Sequence, residues 1–417
     1  MNTLRLVAVA TCALQLALAP TARADVVTDW NQTAMQAAEA ARLPPPPHTR
    51  VMAMVHAAIY DAVNAIDRRH IVYAVDVKAM SSASIEAAAA AAANGILTRV
   101  FPAQQMTLDA ALAASLAQVA DGDAKVQGVA IGREVAAKIF EMRKDDGANQ
   151  KAQYSISSGP GVYQLTPPMN AQPVLPHWRS VRPFFLKSAS QFAMEGPPAP
   201  NSAAFAADLD EVLQIGGRNS TKRTNEQTAT ALFWAVSEVP PLNALARRGA
   251  AEKNLSVADN ARLFAYLNMA MADALIAGFE AKYKYNHWRP MTAIRAPKLT
   301  GAQSAAADSS WEPMLVTPPH PEYPSAHCLA TGAAAQVLVA FLGTDKIQIA
   351  LTQPIPLGVH RSFTTVSQIV KEMEDSRVWG GIHFRTANEH GTRLGRQVGE
   401  YGMQTYLQPV GTVAAIE

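Results

Sequence analysis

Apolar positions recur at steps of three and four residues through most of the chain, and the runs end at recognisable stop signals. Over residues 50–66, Val51, Met54, Val55, Ala58 and Ile59 share one side of a helix. An Ala-rich run over residues 84–100 stops before Phe101-Pro102. Helices are predicted over 103–119 and 124–143 as well, separated by Asp121-Gly122-Asp123. The helical period returns over 202–215, 225–236, 256–284, 325–342 (stopped by Gly343), 365–379 and 384–406. Two Pro-rich stretches, 145–200 and 296–324, carry no period. Trp178, Phe184, Phe185 and Phe192 predict that the first of them packs onto the body. There is no internal repeat, and no glycine loop follows a strand in the way nucleotide sites require. The pattern predicts an all-α protein, with two helical bundles side by side or merged.

Composition narrows this picture. The chain has 417 residues, 49% hydrophobic and 17% charged, which is enough for one large domain or two moderate ones. Residues 1–24 read as a secretory signal. Arg5 is the basic start, residues 6–19 the apolar core, and Ala22-Arg23-Ala24 the cleavage site before Asp25. A secreted or periplasmic protein is expected; an uncleaved anchor is the alternative. Loss of this segment removes two arginines and leaves basic and acidic residues equal in number, so no basic field draws nucleic acid. Cys12 leaves too, and Cys328 alone cannot form an intramolecular disulfide. It reads as a buried small hydrophobe rather than a reactive thiol. The best candidate membrane span, residues 263–279, is interrupted by Asn268 and Asp273, so no integral span is expected.

Three short motifs carry candidate chemistry. Lys282 and Arg289-Pro290 lie seven residues apart, two helical turns, which predicts one helix face with an offset of about 20°. Pro324-Ser325-Ala326-His327 opens a helix, where unpaired N–H groups make an anion cradle with Ser325 at the N-cap and His327 in the first turn. Ser376-Arg377 and His383 flank Gly380-Gly381, a break that lets both side chains reach one point. Each motif also has an ordinary reading: solvated cations at a helix end, a Ser-capped helix with a surface His, and a helix-ending Arg beside a buried His. Taken together they supply three fixed cations, a hydroxyl, a row of N–H groups and two imidazoles. That set suits a tetrahedral oxyanion passing through a five-coordinate state. A zinc hydrolase is disfavoured, because there is no HExxH and no thiolate cluster.

The ordered motifs K-x6-RP, PSGH and SR-x5-H are those of vanadium-dependent haloperoxidases and type 2 phosphatidic acid phosphatases (PAP2), a superfamily that includes soluble class A acid phosphatases. This sequence resembles that superfamily over residues 282–383. Gly-Gly-Ile-His-Phe at 380–384 and the helix around residues 55–65 look like its secreted bacterial haloperoxidase-like branch. The resemblance implies an all-α fold of two four-helix bundles, with residues 25–200 forming the N-terminal bundle and Pro-rich connection and residues 201–417 the catalytic region. It implies bound vanadate, or phosphate as substrate. Lys282, Arg289 and Arg377 would hold equatorial oxygens; Ser325 and the Ala326 N–H would add hydrogen bonds. His383 would be the axial metal ligand or phosphate nucleophile, His327 the acid–base group and His320 a neighbour tuning proton transfer. Ala326 departs from the motif glycine: its N–H survives, while its methyl crowds the oxyanion if it points inward, and a positive φ would be disfavoured.

The expected activity is vanadate-dependent oxidation of halide by hydrogen peroxide, with Lys282 also acting on the peroxide. The alternatives are a secreted PAP2-type acid phosphatase that hydrolyses phosphate esters through a phosphohistidine, and a non-catalytic oxyanion-binding protein. His287 and Trp288 read as packing or entrance residues, His56 as a core histidine and His390 as a supporting contact. Helix-rich surfaces allow an oligomer without specifying one.

Overall fold

The computed structural model describes residues 25–296, 307–352 and 359–411, so the predicted signal segment lies outside the described residues. In chain order the helices are α1 (Val26–Ala40), α2 (Pro45–Asp67), α3 (Ile85–Val100), α4 (Gln105–Ala117), α5 (Asp123–Arg143), α6 (Ala203–Ile215) and α7 (Asn225–Phe233). They continue with α8 (Val239–Glu252), α9 (Val257–Tyr285), α10 (Pro290–Arg295), α11 (Ala326–Leu342), α12 (Val366–Trp379) and α13 (Arg385–Thr405). The expected all-α class holds, with one addition: an antiparallel hairpin of β1 (Lys346–Thr352) and β2 (His360–Thr365). Its alternating burial follows Ile347 and Leu351, a period-2 signal within a sequence dominated by helical spacing. The helical pattern also omitted α1, α8 and α10. In α8 and α10 prolines occupy the first turn, where no N–H is needed.

One apolar core runs through both halves of the chain. The buried faces of α2, α3, α9, α11 and α13 all contribute to it, and α2 packs directly on α9. Helix α9 is long and apolar enough to cross a membrane by composition, but it is the central core helix, with 94% of its most apolar window buried. The polar residue that interrupts it, Asp273, explains how the first Pro-rich stretch docks. Its carboxylate accepts backbone N–H bonds from Phe184 at 2.6 Å, Phe185 at 2.6 Å and Leu186 at 2.9 Å. Burial raises its pKa to about 6, opposed by those three donors. Trp178, Phe184 and Phe185 are buried and Phe192 is packed against the core, as their apolar character predicts.

The contact that positions the site is the one between α11 and α13. Gly391, Gly395 and Gly399 follow one stripe of α13 at i, i+4 and i+8, and a Cβ on Gly395 would stand 2.1 Å from the Leu329 carbonyl oxygen. On the facing helix, a Cβ on Gly332 would stand 2.3 Å from the Thr392 carbonyl oxygen. The two backbones therefore touch, and the start of α11 is held against the segment that leads into α13.

Candidate oxyanion site

Lys282, Arg289, Ser325, Arg377 and His383 are all buried, and five different backbone environments bring them there. Lys282 sits in the last turn of α9. Arg289 does not share its helix face, contrary to the seven-residue spacing. Helix α9 ends at Tyr285, Asn286 takes a left-handed conformation (φ 49°), and Arg289 is the extended N-cap of α10. Pro290 accounts for this, since the residue before a proline is driven out of the helical region. Ser325 is the N-cap of α11 as predicted, yet its hydroxyl makes no capping bond. Arg377 closes α12, which ends at Trp379. Gly381 (φ 75°) then turns the chain so that His383 precedes α13, the role expected of the Gly-Gly break.

His383 is the point of convergence. Its pKa is pushed well below the ordinary histidine range by burial first, then by the cations of Arg289, Lys282 and Arg377. Arg289 Nη1 lies 3.2 Å from His383 Nε2. The same guanidinium donates to the carbonyls of Ile382 (2.9 Å) and His320 (2.9 Å). Its Nη2 lies 3.0 Å from His320 Nδ1. The same Nδ1 lies 3.1 Å from the Pro321 carbonyl, which only accepts, so the two contacts pull the His320 tautomer in opposite directions. The His320 ring also lies 5.6 Å, centroid to centroid, from that of Phe279, on the half-exposed side of the site. His320 thus touches a site cation directly.

Lys282 donates to the carbonyls of Pro321 (3.0 Å), Glu322 (3.0 Å) and Pro324. Its three protons are all engaged, so one must swing away before the ammonium can touch a ligand; its charge acts without that movement. Burial, with Arg289 beside it, holds its pKa well below the lysine range. Burial likewise lowers Arg289 and Arg377 to about 10.

His327, mostly buried in the first turn of α11, lies with Nε2 3.1 Å from the Val236 carbonyl and 3.4 Å from Glu238 Oε2. Donation to Val236 puts the proton on Nε2 and leaves Nδ1 as the atom that gains or loses one. Burial and the nearby Arg377 cation depress its pKa.

Two buried acids escaped the motif reading. Glu322 lies between Pro321 and Tyr323, and its Oε1 is 2.8 Å from His383 Nδ1. Burial pushes Glu322 up to about 8 and Glu238 up to about 7, each opposed by a nearby guanidinium. Glu322 had a readable signal, as an acid inside the His320–His327 motif run. Glu238 had none, because it reaches the site from the start of α8. Glu238 gives a testable pH effect. As pH rises through about 7 its carboxyl ionises beside His327 and favours the imidazolium. Glu238→Gln is expected to move the alkaline limb of the pH–rate profile down by about one unit. An unchanged profile would exclude this carboxylate from the proton transfer.

The donor set fits an oxyanion. Arg377 Nε is buried and has no hydrogen-bond partner among the described residues, and the buried Ser325 Oγ has only the weak Cys328 thiol beside it. Three buried cations press on one another and on three histidines, and an anion would relieve that repulsion. Ala326 is the first helical residue of α11 and is absent from the positive-φ residues, so the backbone does not demand glycine there. Cys328 is fully buried, with its thiol raised to about 12, and behaves as a core residue. His287 and Trp288 pack with Phe205 and Phe384. His56 is buried and bonded to Asn31, and His390 supports Tyr323.

A mostly helical protein that gathers three buried cations, a serine hydroxyl and two histidines has the donor set that an oxyanion-binding protein needs. Residues 262–411, which contain Lys282, Arg289, Ser325, His327, Arg377 and His383, match the profile of the VCPO second helical-bundle domain. Over 259 residues, 50% of this chain, the sequence is 29% identical to the vanadium chloroperoxidase of Curvularia inaequalis, and the match spans 42% of that protein's length. The fold is similar to that of a crystal structure described as the first bacterial vanadium-dependent iodoperoxidase. The TM-score is 0.79 at 28% identity, covering 93% of this chain and 98% of that one. A holo-type bacterial vanadium-dependent chloroperoxidase matches with a TM-score of 0.69 at 19% identity, over 87% of this chain and 91% of its own, a likeness of fold alone. Together these likenesses support the vanadium haloperoxidase/PAP2-like family for this chain.

Proposed function

We propose that this protein is a vanadate-dependent haloperoxidase, exported by the segment 1–24, with residues 201–417 as its catalytic region. The observation that carries the reading is the convergence of Arg289, Lys282 and Arg377 on the buried ring of His383. Vanadate, when bound, supplies a Lewis-acid centre that activates hydrogen peroxide toward halide without changing oxidation state.

The residues divide the remaining work. His383 would hold the group through Nε2. Arg289, Arg377 and Lys282 would hold its negative charge, and their burial would strengthen each attraction. A unit-charge pair at 4 Å is worth roughly 4 kcal/mol at an effective dielectric of 20, before desolvation. Ser325 Oγ and the unpaired N–H groups at the start of α11, Ala326 included, add hydrogen bonds. His327 holds or releases a proton at Nδ1, and Glu238 biases it toward the charged form once ionised. His320 keeps Arg289 in place from the half-exposed side.

Adding orthovanadate to the purified protein is expected to produce halide-dependent peroxidase activity, read as bromination of monochlorodimedone. No gain with vanadate, together with vigorous hydrolysis of p-nitrophenyl phosphate, would replace this reading with the phosphatase. Tight vanadate binding without either turnover would leave an oxyanion-binding protein.

A further inference from the structure

Glu322 ties together three segments of the site through its backbone and side chain. Its N–H donates to the His287 carbonyl at 2.9 Å, beside Arg289. Its own carbonyl accepts from Lys282 at 3.0 Å. Its Oε1 is 3.0 Å from the Phe384 N–H and 2.8 Å from His383 Nδ1. One residue therefore links the three segments that carry Lys282, Arg289 and His383, and its side chain is fully buried.

The proton on His383 follows from two independent contacts. The Phe384 N–H can only donate, so Oε1 accepts there; with any carboxyl proton on Oε2, Oε1 takes the Nδ1 proton in the same way. On the other side of the ring, Arg289 Nη1 can only donate, so Nε2, 3.2 Å away, presents its lone pair. Both contacts assign the proton to Nδ1 and keep the lone pair on Nε2, where Arg289 Nη1 holds it until an anion draws the guanidinium away. The opposite tautomer would set N–H against N–H at Arg289 and leave Nε2 without a lone pair.

We infer that Glu322 is a positioning residue that fixes the tautomer of His383 and aims Nε2 at the oxyanion. The inference rests on the reading of His383 as the group facing that anion. It supplies the reason for a buried acid in a pocket built for anions: the carboxyl group is bonded to the far side of the ring, where it orients Nε2. Such partners of a ligating histidine are generally worth 10- to 100-fold in affinity.

The test uses histidine-labelled protein and 15N NMR to locate the His383 proton, with orthovanadate affinity by titration as the second readout. Glu322→Gln keeps an oxygen for Phe384 and Nδ1, and is expected to keep the Nδ1–H signal and to bind vanadate within about tenfold of the parent. Glu322→Met removes the acceptor, and is expected to lose the single Nδ1–H form and to bind vanadate about 10- to 100-fold more weakly. A Glu322→Met protein with parental tautomer and affinity would overturn the inference. So would a parent protein carrying the proton on Nε2, a result that needs no variant to fold. A parent that binds neither vanadate nor phosphate would instead defeat the reading of the site, with the NMR result still deciding the tautomer.

Discussion

Replacement of His383 by alanine is expected to reduce vanadate-dependent halide oxidation by at least about a thousandfold, because it removes the one nitrogen that Arg289 and Glu322 together orient toward the anion. Vanadate affinity should fall with it, separating loss of the ligand from loss of a proton carrier. The variant should fold, since the ring fills a small volume between α12 and α13. It leaves the Glu322 carboxyl with one donor fewer, however, which costs about 1–3 kcal/mol in a buried position. Free imidazole added to the variant should recover part of the vanadate binding by entering the vacated space. Activity within tenfold of the parent would remove His383 from the mechanism, whatever happened to stability.

The second large effect is expected at Arg377. Its Nη1 donates to the Trp234 carbonyl at 2.6 Å, its Nε is unpartnered, and its charge bears on His383, His327 and Glu238. Arg377→Leu removes a donor that would hold the oxyanion, and losses of that kind cost about 2.7–4 kcal/mol, or roughly 100- to 1000-fold. Both vanadate binding and turnover should drop by that order. Stability should respond differently with pH. Below about 7 the Glu238 carboxyl is neutral and loses little when Arg377 goes; above it, the ionised group is left buried without its cation. Thermal melts of parent and variant at pH 6 and pH 8 should therefore diverge more at the higher pH. Arg377→Lys restores charge but not the planar fork, and should recover only part of the affinity. Equal vanadate binding in parent and Arg377→Leu would show that the anion lies elsewhere.

Much of this site was legible before folding. Ser325 opens α11, Gly380-Gly381 ends α12, and Arg377 and His383 meet across that break, because caps and glycines act on backbone a few residues away. Buried histidines such as His56 followed from apolar neighbours in the same way. The spacing argument for Lys282 and Arg289 failed because it assumed one continuous helix. Asn286 and the residue pair Arg289-Pro290 break it, and the two cations meet through the loop that carries Glu322 rather than along a shared face.

The sequence by itself determined the helices with strong periodicity, the order of the three motifs and the kinds of charge they bring, since each depends on residues close together in the chain. Tertiary structure decided what those groups touch. It engaged every proton of Lys282 with carbonyls, put Glu238 beside His327, and placed Glu322 behind His383. These pairings join residues 39 to 89 positions apart, and nothing in local pattern distinguishes a buried acid with such a partner from a solvated one. Burial alone made the difference, by removing the water that would otherwise separate the charges.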